Sequence, residues 1–420
     1  MAKILQIIHR FWPYQGGSER LFFELARRTA ARGDAVTVFT TDAWDIEHFH
    51  LSGKQRIEAL SEETEGIQTR RFRVRHLPYQ TRLLRLLSLL PVRRCRQLFG
   101  YPHILVPGLS WRLWSMRQRF DLVHVGVFPH TYLIASAHAY CRRHGVPLIC
   151  QPMLNLGELH SAMDNPHFLS EEQLWLLSRA SAILTLTNFE KEVLAAKGIP
   201  QESVTVVSPG VTPSEILGGD GEAFRRLHRI NGPIILQIST QTFDKGSILT
   251  VEALKLLWEK GWDVTLVMIG QVMADFTEYI ANQAPSVRER TRVLDYVSEQ
   301  EKKDAYAACN VFVMPSRVDA FGIVYLEAWM YKKPVIGCYA GGVPRVINDG
   351  ETGFLIPFGD SHMLAEYIAK LLSTHSLAAS MGEKGYQRVI ARYSWADCAT
   401  RVHEVYHSLL NRQKEPVNLQ

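Results

Sequence analysis

Short apolar runs alternate with longer segments of helical periodicity along the whole chain. In the first half, the runs predicted to be strands are 4–8, 35–40, 122–125, 147–150, 182–187 and 204–207. A second series is predicted at 233–238, 264–269, 293–294, 311–314 and 334–337. Strands that alternate with helices favour parallel sheets covered by helices on both faces. The pattern therefore predicts an α/β protein with two Rossmann-like domains.

The two series are separated by a segment rich in glycine and proline. It contains Pro209, Pro213 and Gly218-Gly219, which favour turns and loops. With 420 residues, 46% of them hydrophobic, the chain is long enough for two separate cores. We predict an N-terminal domain over 1–208, a linker over 209–232, a C-terminal domain over 233–394 and a final segment over 395–420.

The most informative motif lies where a predicted strand gives way to an apolar helix. It reads Asp319-Ala320-Phe321-Gly322-Ile323-Val324-Tyr325-Leu326-Glu327. A helix that begins near Gly322 leaves its first amides without intrahelical partners, and these amides favour an anion such as a diphosphate. Asp319 could then reach a hexose and Glu327 a ribose. In the simpler alternative, Asp319 is only solvated and Glu327 only complements the helix dipole.

This motif resembles the signature of the retaining glycosyltransferases of family four, which have the GT-B fold. The resemblance continues through 314–316, 333–336, 341–344 and 349–357, and upstream it includes Asp244-Lys245-Gly246 and Gly16-Gly17-Ser18-Glu19. It covers nearly the whole chain. It implies two Rossmann-like parallel-sheet domains that face a cleft, with an acceptor-side domain over 1–208 and a nucleotide-sugar-binding domain over 233–394. It also implies a C-terminal helix within 395–420 that crosses back to the first domain.

The resemblance also implies the residues of the site. The implied donor-binding residues are Gly16, Gly17, Lys245, Gly270, Asp319, Phe321, Gly322, Ile323, Val324 and Glu327. Lys245 and Asp319 are expected to be catalytic, and the lysine can neutralise charge on a departing diphosphate. Gly16-Gly17 could instead form only a tight turn, with Ser18-Glu19 capping the next helix.

Two departures from the family concern missing charged or hydrogen-bonding groups. The family usually carries an arginine about five residues before its lysine, where this chain has Thr240-Gln241. One of these side chains, or Arg317, is expected to supply the contact. Many members also carry a histidine where Met153 stands here. His130 is therefore our candidate for a catalytic or acceptor-positioning role, although a lone histidine is more often structural.

The arginines are concentrated in one segment. Residues 66–120 contain 12 Arg and no Asp, Glu or Lys, so this segment carries +12 while the rest of the chain sums to −7. Within it, 81–90 reads as a basic amphipathic helix, which favours contact with an anionic membrane through the 70–119 region. Leu83, Leu86, Leu87 and Leu90 also fit an ordinary helix packed on a core. No nucleic-acid-reading module accompanies the charge, so we expect no nucleic-acid partner.

Several classes of protein are disfavoured. The six cysteines lack metal-ligand spacing and indicate reduced thiols in a cytosolic protein. The first apolar run is too short for a signal peptide, and no run approaches the roughly 20 residues of a membrane span. No Asp-x-Asp pair is present, so we expect neither a metal nor another cofactor. A dehydrogenase is disfavoured because no Gly-x-Gly-x-x-Gly follows the leading strand of either series.

The resemblance implies a retaining hexosyltransferase, which we expect to be metal-independent. Its donor would be a nucleotide diphosphate sugar, and its acceptor a hydroxyl of a glycan or a lipid-linked molecule. We expect it in the cytoplasm, peripherally bound to the inner face of the cell membrane. Two alternatives remain: a GT-B-type sugar-nucleotide epimerase or disaccharide phosphorylase, and a nucleotide-sugar-binding protein without turnover.

Overall fold

The computed structural model describes residues 1–14, 16–157 and 167–412. The chain divides into two compact units. Unit 1 comprises Met1–Leu154, Met163–Ser208 and Ala396–Gln420, and unit 2 comprises Asn155–Ala162 and Pro209–Trp395.

Unit 1 is built on a largely parallel sheet. Its strands are β1 (Lys3–Ile7), β2 (Ala35–Thr41), β3 (Ser61–Thr64), β4 (Ile67–Phe72), β5 (Leu122–Gly126), β6 (Leu148–Gln151), β7 (Ala182–Thr185) and β8 (Val204–Val206). Among the described residues, these eight strands lie in the order β3-β4-β2-β1-β5-β6-β7-β8. Only the β3–β4 pair of this set is antiparallel. The central strand β5 is buried along its length, as expected for a strand covered on both faces.

Helices cover this sheet. They are α1 (Gly17–Ala31), α2 (Gln80–Ser88), α3 (Arg93–Phe99), α4 (Pro107–Ser115), α5 (Thr131–His144), α6 (Glu171–Leu177) and α7 (Asn188–Ala196). The helix α5 shows why such elements form and stop: its apolar residues are buried, and Gly145 ends it in the left-handed conformation.

Unit 2 contains a fully parallel sheet. Its strands are β9 (Ile234–Ile238), β10 (Thr265–Ile269), β11 (Thr291–Leu294), β12 (Val311–Val313), β13 (Val335–Cys338) and β14 (Gly353–Ile356). In the described part of unit 2, the order is β11-β10-β9-β12-β13-β14. The helices are α8 (Pro213–Ile216), α9 (Gly221–His228), α10 (Ser247–Glu259), α11 (Ala274–Ala281), α12 (Pro285–Arg290), α13 (Glu299–Ala308), α14 (Ile323–Met330), α15 (Val343–Val346), α16 (Ser361–Ser373) and α17 (His375–Arg392).

The last helix, α18 (Trp395–Arg412), joins unit 1 from Ala396 onward. The hydroxyl of Tyr406 lies 2.8 Å from Nδ1 of the buried His124, and Nε2 of His403 lies 2.9 Å from the hydroxyl of Thr29. The C-terminal helix therefore returns to the unit in which the chain began, as the resemblance implied.

The segment 209–232 is helical in part and belongs to unit 2. Phe224 of α9 is buried, and Arg225 donates to the carbonyl oxygens of Gly232 and Ala308, each at 2.8 Å. These contacts attach the segment that follows Ser208 to the body of unit 2.

Candidate functional site

Unpaired backbone amides lie at the start of α14 in the described part of unit 2. Gly322 precedes the helix with φ +84°, and a Cβ there would overlap the ring of Tyr325, so glycine is required. Among the described residues, no hydrogen-bond acceptor faces the amides of Gly322, Ile323 and Val324. Three free amides at a helix N-terminus form an anion site.

Asp319 and Lys245 lie together beside these amides. The lysine Nζ donates to Oδ2 of Asp319 at 2.7 Å, and the amide of Phe321 donates to Oδ1 at 3.0 Å. Asp319 is buried, whereas Lys245 keeps 29% of its side chain exposed. The Phe321 ring is buried against Tyr393, so it contributes packing. The lysine is thus held in place and still accessible to a ligand.

Glu327 lies on α14, about a turn and a half from the free amides. Its Oε2 accepts from the hydroxyl of Tyr306 at 2.8 Å, while Oε1 has a more distant ionic contact of 3.9 Å with Lys302. Burial, followed by the charge of Glu327, raises the pKa of Tyr306 well above its usual value, so the phenol remains a donor. This leaves Oε1 able to accept a hydrogen bond from a ligand hydroxyl.

Gly270 lies at the same edge of the unit 2 sheet as Lys245 and Asp319. It follows β10 with φ +123°, and a side chain would overlap the carbonyl oxygen of Ser239. Lys245 follows β9, which neighbours β10. Asp319 follows β12, which lies on the other side of β9. Three predicted donor-binding residues therefore lie at the carboxyl ends of three adjacent parallel strands, where α/β sheets bind ligands.

The structure excludes Gln241 from the three residues that could replace the family's arginine, which were Thr240, Gln241 and Arg317. Gln241 is buried, and its Nε2 donates to the carbonyl oxygens of Ser239 and Ile269, so it stabilises the loop and is not free to contact a ligand. Arg317 is half-exposed, and its Nη2 lies 2.7 Å from Oδ1 of Asp244. A cation therefore lies next to the Asp244-Lys245 turn.

In unit 1, the Gly-Gly motif begins α1. Gly16 is the N-cap and accepts from the amide of Arg20 at 2.9 Å, and Gly17 is the first helical residue. The expected capping by Ser18-Glu19 is wrong. The hydroxyl of Ser18 donates instead to Oε2 of Glu19 at 2.8 Å, because that carboxylate is turned into the protein.

That carboxylate belongs to a buried charged cluster. Nε of Arg10 lies 2.9 Å from Oε1 of Glu19, and Nε2 of His9 lies 3.3 Å from the same oxygen. Burial alone would raise the pKa of Glu19, but Arg10, His9 and Ser18 together lower it to about 2. Sequence reasoning missed His9 and Arg10. The available signal was their position directly after β1, where a parallel sheet places functional loops.

His130 follows β5 and joins the same cluster. Its ring stacks on His9 with centroids 4.3 Å apart. Burial, then the neighbouring His9 and Arg10, lowers the pKa of His130 well below its usual value, so the imidazole is neutral. Its Nδ1 has no hydrogen-bond partner among the described residues. The histidine selected from the sequence is therefore a neutral group stacked on His9, within unit 1.

The arginine-rich segment 66–120 contains β4 and the helices α2, α3 and α4. Leu84 is buried, but Leu83, Leu86 and Leu90 are exposed, as are Trp111 and Trp114 on α4. The alternative in which these leucines pack on a core therefore fails for three of the four predicted positions. No helix within the described ranges has both the length and the apolar composition needed to cross a membrane.

No metal-binding group stands out in the described part of the chain. Within residues 1–14, 16–157 and 167–412, there is no cluster of three or more His, Cys, Asp or Glu side chains placed to hold a metal ion. At the start of α14, Asp319 is instead paired with Lys245.

Two family models match the chain. One describes a glycosyl transferase 4-like domain and matches residues 16–210, and the other describes glycosyl transferases group 1 and matches residues 221–388. The second match contains Lys245, Gly270 and the whole motif from Asp319 to Glu327. The first contains Gly16, Gly17 and His130.

Two curated relatives are similar over different lengths. The capsular polysaccharide biosynthesis glycosyltransferase CapM of Staphylococcus aureus is 31% identical over 176 residues, which is 41% of this chain and 45% of that protein. The chain thus spans less than half of CapM. The alpha-D-kanosaminyltransferase of Streptomyces kanamyceticus is 25% identical over 328 residues, covering 71% of this chain and 81% of that one.

The Anabaena protein HepE, solved in complex with UDP and glucose, has a similar fold. Its TM-score is 0.70 at 18% identity, and the alignment covers 97% of this chain and 100% of that one. At this identity the likeness carries the fold alone. It confirms the predicted fold class.

Proposed function

Because this chain belongs to the group 1 glycosyltransferases, we propose that it transfers a hexosyl group from a nucleotide diphosphate sugar to a hydroxyl of a glycan or a lipid-linked acceptor. Membership of this family confirms the resemblance seen in the sequence and the prediction of a sugar-transferring enzyme. The donor assignment rests on one observation: three free amides at the start of α14 lie beside Lys245 and Asp319.

In the proposed reaction, the bond between the anomeric carbon and the diphosphate oxygen breaks. The acceptor oxygen bonds to the same face of that carbon, so configuration is retained, and its proton passes to the departing phosphate oxygen. Lys245 and the α14 amides stabilise the charge that develops on the diphosphate. These groups supply the positive field that a metal would otherwise provide, which supports metal independence.

The remaining residues position the donor and the acceptor. Glu327 would bind a ribose hydroxyl through its accessible Oε1, and Asp319 would bind hexose hydroxyls. Gly16 and Gly17 would allow the backbone to approach the donor closely. His130, neutral and with a free Nδ1, would position the acceptor. The names of the relatives support this reading, since one is a kanosaminyltransferase and HepE was solved with UDP and glucose.

We further propose that the arginine-rich surface binds the cytoplasmic face of an anionic membrane. Leu86 and Leu89 are 64% and 72% exposed, and the segment that carries them has no acidic residue. Apolar side chains that extend from a basic surface are typical of interfacial membrane binding. A lipid-linked acceptor would be met at such a surface.

The transfer is tested by product analysis. The protein is incubated with UDP-, GDP- and ADP-hexoses in the presence of chelator, with glycan or lipid-linked acceptors. A glycoside with the anomeric configuration of the donor supports the proposal. A sugar released to water, a sugar phosphate or an epimerised donor would instead identify an epimerase or phosphorylase, and donor binding without any product would identify a binding protein.

The membrane proposal is tested by sedimentation with vesicles. Replacing Leu86 and Leu89 by serine should weaken binding to vesicles of phosphatidylcholine mixed with phosphatidylglycerol. Leu227→Ser is a matched control, since Leu227 is similarly exposed on α9 of unit 2. Equal binding by the double variant and the control would contradict the role of this surface.

A further inference from the structure

Unit 1 contains a cavity of about 280 Å³ between α3, α4, α5 and α6. Its walls include Arg94, Gln97, Trp114, Arg142 and Trp175. Its volume is close to the lower end of the roughly 300–1,000 Å³ of ordinary ligand pockets. A single polar headgroup would fill it.

Gln97 is the most informative residue of its wall. Gln97 is only 7% exposed, yet its side-chain Nε2 donates to no acceptor among the described residues. A buried amide donor without a partner costs about 1–3 kcal/mol. A ligand with an acceptor oxygen would satisfy this group.

The arginines around the cavity fall into two groups. Arg93 and Arg96 are paired with Glu172, at 3.3 and 2.6 Å, and Arg143 donates to backbone carbonyl oxygens such as that of Met116, at 2.9 Å. These three hold α3, α5 and α6 in place. Arg94 and Arg142 differ, because in the described part of the chain neither has a carboxylate partner. Two unneutralised guanidinium groups thus accompany the buried amide donor.

The remaining wall suits the non-ionic part of a ligand. The hydroxyls of Ser110 and Ser136 lie 2.8 Å apart and also line the cavity. The ring centroids of Trp111 and Trp114, on the helix α4 that forms one wall, lie 5.0 Å apart with the rings tilted by 35°, and the two residues are 64% and 59% exposed. Tryptophans with this exposure are typical of side chains that lie at a membrane interface.

We propose that this cavity binds the phosphate of an anionic headgroup, with Arg94 and Arg142 at its rim and the Gln97 amide inside. Guanidinium groups and amide donors are the groups that recognise phosphate oxygens. The lipid form of this ligand rests on the membrane association proposed above, whereas the pocket itself does not. None of the residues that line the cavity is among the proposed donor-binding residues.

The test compares variants that lose equal charge. Arg94→Ser with Arg142→Ser removes the pocket arginines. Arg117→Ser with Arg119→Ser removes two exposed arginines that follow α4 and do not line the cavity. The probes are vesicles of phosphatidylcholine mixed with phosphatidylglycerol, and soluble glycerol phosphate measured by calorimetry. We expect the pocket pair to lower vesicle affinity at least about tenfold and the control pair at most about threefold, because diffuse attraction is the same for both.

A second test uses Gln97→Met, which changes no charge. Methionine keeps the length of the side chain and removes the amide donor. The variant should weaken glycerol phosphate binding several-fold, with a melting temperature no lower than that of the wild type because a buried unpartnered donor is removed. Equal losses in both arginine pairs, with wild-type behaviour of Gln97→Met, would overturn the pocket and leave only diffuse attraction. If glycerol phosphate binds but vesicles do not, the pocket stands with a soluble ligand and the membrane proposal fails. Failure of both probes overturns the pocket, and neither outcome depends on sugar transfer.

Discussion

The charged groups of the two candidate sites differ in how deeply they are buried. In unit 2, Lys245 and Glu327 are partly exposed and each has a contact that a ligand could replace. In unit 1, Glu19 is 2% exposed and is held by Arg10, His9 and Ser18. A charge near solvent can exchange its partner when a ligand arrives. A buried charge cannot lose its partner without a large penalty. We therefore expect the carboxylates of unit 1 to control stability and the charged groups of unit 2 to control binding and turnover.

The largest expected effect is on the stability of unit 1. Glu19→Ala leaves Arg10 buried without its counter-charge, and breaking such a pair costs about 3–5 kcal/mol. Urea denaturation measures the loss. Glu58→Ala, which removes an exposed partner of Arg56, should leave stability unchanged. Comparable stability in the two variants would refute the distinction between the units.

The same carboxylate gives a pH dependence. Because the folded pKa of Glu19 is about 2, below the usual 4.5, its contribution is fully present above about pH 4.5. It is lost as the pH falls toward 2. The stability of Glu19→Ala should therefore depend less on pH in this window than the stability of the wild type.

Glu190 should show the opposite dependence. Burial raises its pKa to about 7, although the amides of Leu154 and Leu186 donate to it at 2.9 and 2.8 Å. The folded state then holds a proton that the unfolded state releases, so stability falls as the pH rises from about 4.5 to 7, by up to about 3 kcal/mol. Glu190→Gln should remove this fall. The exposed Glu202→Gln is the control, and a fall that persists in Glu190→Gln would contradict the assignment.

In unit 2 the principal effect should be on rate. Lys245→Ala should lower turnover about 100-fold, because a preorganised group that stabilises developing charge is lost. Its melting temperature should fall less than that of Glu19→Ala, since the pair with Asp319 is partly exposed on the lysine side. Steady-state kinetics measure the effect, with Lys255→Ala on the surface of α10 as the control. Wild-type turnover in Lys245→Ala would remove this residue from the site.

A smaller effect is expected at Glu327. Glu327→Ala should raise the dissociation constant of the nucleotide about tenfold, because a charged hydrogen bond to a ligand hydroxyl contributes about 1.5 kcal/mol or more. Tyr306→Phe, which removes the hydroxyl that orients Glu327, should have a weaker effect. Calorimetric titration distinguishes the two. Unchanged affinity in a folded Glu327→Ala protein would contradict the ribose contact.

Much of unit 2 could be predicted because its site is local in the sequence. The motif from Asp319 to Glu327 contains its own glycine and helix start, so spacing alone places both carboxylates close to the amides in the chain. The strand β14 was missed, since it is only four residues long and begins with glycine. In unit 1, β3 and β4 were missed because their alternating exposed positions make them more polar than a central strand.

The cluster of unit 1 could not be predicted in the same way. His9 and Arg10 follow β1, Glu19 lies on α1, and His130 precedes α5, so only the fold brings them together. The sequence predicted Glu19 as a capping residue, because a sequence does not distinguish a solvated carboxylate from a buried one. The phosphate cavity shows the same limit, since Gln97 carries no sequence signal that its amide would be buried without a partner.

The most direct test of the donor site is the stability of the protein in the presence of UDP, GDP, ADP and their hexose conjugates. A ligand at 100 times its dissociation constant should stabilise the folded state by about 2.7 kcal/mol. We expect one nucleotide family to do so with the wild type, and to do so less with Glu327→Ala. Equal stability with and without every one of these ligands would contradict the account.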